Sequence, residues 1–155
     1  MKSITHIASA FALAPAAYTL SSRLGLDPFW MTAGFLLGPK APDWLEMARW
    51  FGPVRFSVIP HRTITHTWWV WVGVLWWCWR AGLPEMYGQL VAGFCVSCLV
   101  HILADAMTPM GVPVINPFGK KRRLPAGALR HEPVFFLFCA VLSAIVYAGN
   151  LSWIS

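Results

Sequence analysis

The sequence predicts an all-α, polytopic membrane protein with four to five membrane helices, one of them short or re-entrant. Two observations lead to this fold class. The chain of 155 residues is 57% hydrophobic and only 12% charged, which is more apolar surface than a soluble domain of this size can bury. The apolar residues also form long runs, and in lipid only helices and closed barrels satisfy every backbone hydrogen bond. We therefore expect residues 1–155 to form a single integral membrane domain.

Five apolar segments account for the predicted helices. They cover residues 4–20, 29–38, 67–79, 86–107 and 133–154. A full span takes about 20 residues, so the last two segments suffice, the first is marginal, and the third is short unless it includes the turn before it. The second is too short, which favours a half-span or a re-entrant helix shielded by its neighbours. The first segment also resembles a bacterial signal peptide, but we expect it to be retained because the rest of the chain inserts in any case.

Lysine and arginine residues predict the orientation of these helices. Residues 38–66 and 109–132 form two basic connections, whereas the connection that contains Arg80 and Glu85 is nearly neutral. Basic loops remain in the cytoplasm, so we predict a multi-pass protein of the bacterial inner membrane, in contact with membrane lipids. The basic run at residues 120–123 could also indicate nucleic acid. A topology signal beside anionic lipid is the interpretation we favour, and no nucleic-acid partner is expected.

This orientation brings polar residues of distant segments to one depth. His61 and His66 precede an outgoing helix, and His101 and Asp105 lie near the cytoplasmic end of the returning helix. Asp43 shares a cytoplasmic loop with His61. Ionisable residues within membrane segments are costly and tend to be functional, so their grouping at one face of the membrane indicates a site.

The spacing of these residues predicts a metal site. His101 and Asp105 are four residues apart and share one face of a helix. His61 and His66 are five apart and would diverge on a helix, so His61 is expected in the loop and His66 in or near the first helical turn, with Thr65 as its N-cap. Three or four His and Asp ligands with an open position for water are typical of a catalytic zinc or manganese site. The polarised water would be the nucleophile of a hydrolysis.

Further residues extend the candidate site. His6 joins it if the first helix starts on the cytoplasmic side, which requires segment 29–38 to return the chain. Arg62 could clamp a phosphate or carboxylate group of the substrate, or could only anchor the helix in the interface. Either Asp43 or Asp105 could act as the general base instead of a ligand. A histidine at a membrane boundary can also be a simple interfacial residue, so the prediction depends on the whole set.

The cysteines and the tryptophans of residues 68–79 have simpler interpretations. Cys95 and Cys98 form a C-x-x-C in the middle of an apolar segment, and Cys78 and Cys139 also lie in apolar runs. We interpret all four as small packing residues without a disulfide. The tryptophans are interpreted as interfacial belts at the two ends of one short helix.

Four short motifs follow one another along the chain: TH at residues 5–6, GPKAPD at 38–43, HRTITHT at 61–67, and HILADAMT at 101–108 followed by GVP and NPF. In the same order they resemble the motifs of the YdjM-like (DUF457) inner-membrane family, described as metal-dependent hydrolases. The family motifs are an N-terminal T-H, a short helix ending in G-x-x-x-P-D, the signature H-R-G-x-T-H-S, and the block H-x-x-x-D-x-x-T…G-V-P…P-F. The resemblance covers residues 5 to about 118. It implies a hydrolase activity, a metal cofactor and these site residues.

The chain departs from the family pattern at three positions. The family has a second aspartate in P-D-x-D, where this chain has Leu45. The adjacent Glu46 could substitute for it, but with a different geometry. Thr63 and Thr67 stand where the family has glycine and serine. The lost carboxylate argues against a two-metal or high-affinity site.

The predicted function is therefore a membrane-bound, metal-dependent hydrolase with a cytoplasm-facing His/Asp site. Its substrate is expected at the membrane surface, such as a lipid or another small phosphoester. Two alternatives stay open. A small membrane transporter or ion relay would also use intramembrane histidine and aspartate, but near the midplane. A non-catalytic structural or regulatory membrane protein with a degenerate site would be consistent with Leu45.

Overall fold

The computed structural model describes residues 3–51, 54–125 and 127–151, and this part of the chain is mostly helical. The helices are α1 (Ser3–Arg23), α2 (Pro28–Leu37), α3 (Ala41–Trp44), α4 (Trp68–Arg80), α5 (Glu85–Ala106) and α6 (Glu132–Leu151). Short 3-10 turns at Ile64–His66 and Gly127–Arg130 precede α4 and α6. The predicted helical class is confirmed at this level.

Two short antiparallel strand pairs lie in the two basic connections and were not predicted. β1 (Arg49–Phe51) pairs with β2 (Val54–Phe56), and β3 (Val112–Pro113) pairs with β4 (Lys121–Arg122). Strands of two or three residues are too short to show an alternating pattern in the sequence. The class is therefore helical with two small hairpins, not purely α.

Among the described residues, α5 and α6 are long and apolar enough to cross a membrane, over Glu85–Ala106 and Glu132–Gly149. α2 is apolar but has only 10 residues, in agreement with the predicted short helix. Large side chains of α6 such as Leu137 and Ile145 are exposed, as expected of a helix that faces lipid. The predicted total of four to five membrane helices goes beyond these two and stays a prediction.

The start of α2 is set by Asp27. Its carboxylate accepts hydrogen bonds from the backbone N–H groups of Phe29 and Trp30, and Pro28 occupies the first turn. Such an N-cap contributes about 1 kcal/mol. The backbone N–H of Asp27 also donates to the side-chain oxygen of Gln89 at 2.7 Å, which ties this end of α2 to α5.

α2 packs closely on α5 because each helix contributes a glycine to the contact. A Cβ added to Gly34 would overlap the Leu90 carbonyl oxygen, and one added to Gly93 would overlap the Met31 carbonyl oxygen. Facing small residues let membrane helices approach backbone to backbone. The chain that follows α2 is thereby held beside the C-terminal half of α5, where the candidate His and Asp residues lie.

Gly93→Ala is expected to destabilise the protein by about 1–3 kcal/mol, because the added methyl group forces the two helices apart. Gly88 provides a matched control on the same helix, since a Cβ there meets no atom within 4 Å. Gly88→Ala is expected to stabilise the protein by about 0.5–1 kcal/mol by lowering the entropy of the unfolded chain. Unfolding of the two variants in detergent compares them, and equal effects would contradict the close packing.

α1 lies against α6 and the end of α5. The Thr5 hydroxyl donates to the Glu132 carboxylate at 2.8 Å, and the Ala16 backbone N–H donates to the Ser143 hydroxyl at 3.2 Å. Buried apolar side chains of α5 and α6 pack with α1 between these two contacts. This packing places His6 of α1 beside α5.

The four cysteines, Cys78, Cys95, Cys98 and Cys139, are free and buried. Three of them belong to apolar clusters formed by α5 and α6 with their neighbours. The predicted packing role therefore agrees with their surroundings.

The tryptophans of α4 differ between its two ends. The indole N–H groups of Trp68 and Trp69 donate to the carbonyl groups of Val114 and Ile115 at 2.9 and 3.0 Å. Trp76 and its neighbours at the other end are exposed. The interpretation as a lipid-facing belt therefore suits the C-terminal end, whereas the N-terminal pair holds the chain after β3 against α4.

Candidate metal centre

His101 presents one defined ring nitrogen to the site. The imidazole is 1% exposed, and its Nδ1 lies 2.7 Å from the Pro39 carbonyl oxygen. A carbonyl group can only accept, so Nδ1 carries the proton and Nε2 keeps its lone pair. This Nε2 faces His66, Asp43 and Asp105. A backbone acceptor behind the ring is the arrangement that orients metal-binding histidines.

His66 is oriented in the same way by Glu46. Its imidazole is fully buried in the 3-10 turn before α4, and its Nδ1 lies 3.2 Å from Oε1 of Glu46 and 3.1 Å from the Thr65 hydroxyl. A carboxylate that accepts from Nδ1 directs Nε2 to the opposite side. That Nε2 lies 3.3 Å from Nε2 of His101, so both imidazoles point at one place.

Four ligand atoms converge there, and we call them the primary set: Nε2 of His66 and His101, Oδ1 of Asp43 and Oδ2 of Asp105. His66 lies 3.4 Å from each carboxylate oxygen, and His101 lies 3.9 and 3.7 Å from Asp43 and Asp105. Ligands about 2.0–2.1 Å from a tetrahedral zinc ion are about 3.3 Å apart. The observed spacing therefore fits a divalent ion, and the wider pairs leave room for one larger than zinc.

Asp43 forms the open side of the primary set. Its side chain is 29% exposed, whereas those of His66, His101 and Asp105 are 0%, 1% and 2% exposed. Asp43 belongs to the single turn of α3, which follows α2 and is held beside α5 by the glycine contact. Water can therefore reach the set next to Asp43, while the other ligands are enclosed.

Arg62 holds Asp105 in place. Its Nη2 donates to Oδ1 of Asp105 at 2.9 Å, and its Nη1 donates to the Thr108 hydroxyl and the Gly111 carbonyl at 2.8 and 3.1 Å. Arg62 is 4% exposed and has a positive φ of 55°. The contact leaves Oδ2 of Asp105 for the primary set. The substrate-binding role predicted for Arg62 is untested and stays a prediction; its observed partners are in the protein interior.

His6 lies at the edge of the primary set. Its Nε2 is 3.4 Å from Oδ1 of Asp105, and its ring stacks on His101 with the centroids 3.9 Å apart. It therefore contacts the Asp105 oxygen that also binds Arg62. The structure brings His6 to the site as predicted, while its role as a ligand stays a prediction.

Glu46 is the site residue that the sequence indicated most weakly. Its only indication was that it follows Leu45, which stands where the family has its second aspartate. It is wholly buried, its Oε1 accepts from the Arg62 backbone N–H at 2.8 Å, and its Oε2 lies 2.7 Å from Nδ1 of His61. Leu45 packs instead against the apolar cluster around α5. The turn after α3 therefore directs residue 46, and not residue 45, into the site.

His61 lies in the loop, as predicted, but outside the primary set. It forms a second group with Asp43 and Glu46, whose ligand atoms all lie within 4.8 Å of one another. Its side chain is 29% exposed. We call Asp43, Glu46 and His61 the outer set.

Thr65 is not the N-cap that the sequence suggested. It lies inside the 3-10 turn, α4 begins at Trp68, and the residue at the cap position is Thr67. The Thr67 hydroxyl donates to the Thr63 carbonyl at 2.9 Å instead of capping the helix. The additional turn places His66 just before α4, where its ring can face α5.

The carboxylates keep His66 protonated in the metal-free protein. Burial by itself disfavours the imidazolium, but hydrogen bonds to Asp105, Asp43 and Glu46 outweigh it and raise the pKa of His66 to about 10. Against the effect of burial, the hydrogen bond with His66 lowers the pKa of Asp43. Contacts led by His61 likewise hold the pKa of Glu46 well below its usual range. Both carboxylates are therefore ionised at neutral pH, the form that binds cations.

Fold and site together define a mostly helical protein in which two of the described helices are long and apolar enough to span a membrane, with a buried His/Asp cluster that could hold a metal ion. The chain belongs to the YdjM inner membrane protein family, whose family model matches residues 1–154. This match confirms the resemblance drawn from the motifs and supports a location in the membrane. No curated protein and no solved structure shows a significant match to the chain.

Proposed function

We propose that this protein is a multi-pass, membrane-bound, metal-dependent hydrolase whose His/Asp site faces the cytoplasm. The observation that carries the proposal is the orientation of the two buried imidazoles. Pro39 and Glu46 engage the Nδ1 atoms of His101 and His66, so both Nε2 atoms are presented together with two carboxylate oxygens. Such second partners are what fix the ligands of a metal site.

The donor set supports a catalytic ion. Four protein ligands would close a tetrahedral zinc site, but an ion that accepts more ligands, such as manganese, keeps room for water beside the exposed Asp43. A divalent ion held there would activate a bound water for attack on an ester. As the only member of the primary set with substantial exposure, Asp43 is also placed to accept a proton from that side.

The depth of the site supports a hydrolase over an ion relay. His101 and Asp105 lie in the last two turns of α5, and His66 lies just before α4. A transporter would need these groups near the middle of its spans. A site at the end of the spans suits a substrate at the membrane surface, such as a lipid head group or another phosphoester.

The proposal includes a topology in which α1, α4, α5 and α6 cross the membrane and α2 enters it only part of the way. α1 has 21 residues, enough for a span, whereas α4 has 13 and would need local thinning of the bilayer or help from the preceding turn. α2 lies against α5, which shields its ends from lipid as a re-entrant helix requires.

Metal content is the test of this function. Detergent-purified protein is expected to hold at least about one manganese or zinc ion per chain, and His66→Ala/His101→Ala is expected to hold about one ion fewer, because the primary set lacks both imidazole ligands. Elemental analysis by mass spectrometry measures both.

Hydrolysis is tested on the metal-loaded protein with a phospholipid and with a water-soluble phosphomonoester. Release of inorganic phosphate or of the lipid head group is the readout, and a sample with chelator is the blank.

His131→Ala is the matched control, because His131 is exposed and outside both sets. It is expected to retain the wild-type metal content. Equal metal in the double variant and the wild type would contradict the site. Bound metal without hydrolysis of any phosphoester would replace the enzyme proposal by the structural or regulatory alternative.

A further inference from the structure

The outer set lies directly beside the primary set and shares Asp43 with it. Asp43, Glu46 and His61 each offer a ligand atom within 4.8 Å of the others. Oδ1 of Asp43 faces His66 and His101 in the primary set. A carboxylate common to two groups of ligands is a recurring feature of sites that hold a pair of divalent ions.

Glu46 is held so that its two oxygens face different groups. Oε1 accepts from the Arg62 backbone N–H and faces Nδ1 of His66, whereas Oε2 lies 2.7 Å from Nδ1 of His61. A fully buried carboxylate is costly unless it is paired, and the histidine beside this oxygen is 29% exposed, so a cation can approach the oxygen from the side of His61. Glu46 therefore provides a carboxylate next to Leu45, which stands where the family has its second aspartate.

The outer set is the accessible one. His61 and Asp43 are each 29% exposed, whereas His66 is fully buried. The Lys121 ammonium group donates to the His61 carbonyl at 2.9 Å, which places a positive charge at the same rim. An anionic group that approaches from the cytoplasmic side therefore meets the outer set and Lys121 before it reaches the primary set.

We propose that Asp43, Glu46 and His61 bind a second divalent cation beside the first, with Asp43 serving both, and that this pair receives the phosphate group of an anionic phosphoester. The inference rests on the proposed function, since it adds a second ion to the same centre. Two-metal centres stabilise the attacking and leaving oxygens of phosphoryl displacements, which supports a phosphoester as the substrate of the proposed function. The departure at Leu45 then changes the geometry of the centre without removing its second ion.

Manganese loading of the full-length, detergent-purified protein tests the second site. Stripped protein titrated with Mn²⁺ is expected to bind about two ions per chain and to give the electron paramagnetic resonance signal of a coupled pair. His61→Ala is expected to bind about one ion with the signal of isolated Mn²⁺, because it retains the whole primary set. His61→Gln, which keeps a polar side chain of similar reach, is expected to behave in the same way, so that a folding defect of one variant does not decide the result.

The outcomes separate this inference from the proposed function. His131→Ala is expected to keep both ions and the coupled signal. One ion in the wild type, unchanged by His61→Ala, would overturn the second site and leave the primary set intact, with Glu46 only orienting His66. No ion in the loaded wild type would overturn both.

Discussion

Asp105→Ala is expected to lose the ion of the primary set and to lower the free energy of unfolding by about 3–5 kcal/mol, because it removes a ligand and leaves a buried guanidinium without its counter-ion. Arg62 and Asp105 have side chains that are 5% and 2% exposed, with Nη2 and Oδ1 2.9 Å apart. Metal analysis and reversible unfolding in mixed micelles measure the two effects. A metal content of Asp105→Ala equal to that of the wild type would refute the assignment of this aspartate to the primary set.

A second substitution separates the two roles of Asp105. In Arg62→Met/Asp105→Ala the buried charge has gone as well, so part of the stability is expected to return while the ion of the primary set stays lost. Asp27→Ala is the matched control, because Asp27 is an acid that caps α2 far from the primary set. It is expected to cost only about 1 kcal/mol and to leave the metal content unchanged. A double variant as unstable as the single one would contradict the ion pair as the cause.

Metal affinity is expected to rise about tenfold per pH unit between pH 6 and pH 8, because the metal must displace a proton from Nε2 of His66. The pKa of His66 in the metal-free protein is raised to about 10, so this imidazole is protonated throughout that range. The stability of the metal-free protein changes with pH in the opposite direction. Protonated His66 stabilises the fold, and this stabilisation is fully present below the unfolded pKa of about 6.5 and is lost as the pH rises through about 10.

Titration calorimetry in buffers of different ionisation enthalpy measures how many protons are released when the metal binds. The first equivalent of Mn²⁺ is expected to release about one proton at pH 7. Mn²⁺ is the better ion for this titration, because Zn²⁺ lowers the pKa of its bound water to about 7 and would release a further proton from that water. His131→Ala should give the wild-type value. Binding without proton release, and with an affinity independent of pH, would show that His66 is not displaced from its carboxylates.

The long apolar helix α5 and the short apolar helix α2 could be predicted because the pattern that indicates them is local. The apolar run at residues 86–107 differs from α5, Glu85–Ala106, by a single residue at each end. The short segment at residues 29–38 became α2, which spans Pro28–Leu37. The hairpins were missed because strands of two or three residues owe their pairing to neighbouring segments and not to a pattern of their own.

Most of the candidate site could also be predicted as a group. Asp43, His66, His101 and Asp105 lie together, and His6 contacts His101 and Asp105, as their common predicted depth implied. The i, i+4 spacing of the pair on α5 and the basic connections supplied that expectation. The sequence could not show which residues of the group share one ligand position. His61 was therefore predicted together with the primary ligands. Glu46 was predicted only as a substitute for the aspartate replaced by Leu45.

The sequence by itself determined that this chain enters a membrane and that a helix end carries His101 and Asp105 on one face, since both follow from composition and helical period. Tertiary structure alone decided which atoms those residues present. The acceptor that orients His101 is the Pro39 carbonyl, 62 residues away, and the one that orients His66 is Glu46 on a separate turn. Nε2 of a histidine is oriented toward a metal by the hydrogen bond that Nδ1 of the same ring donates. For His101, that hydrogen bond forms only once α2 has packed on α5 and brought the Pro39 carbonyl beside the ring.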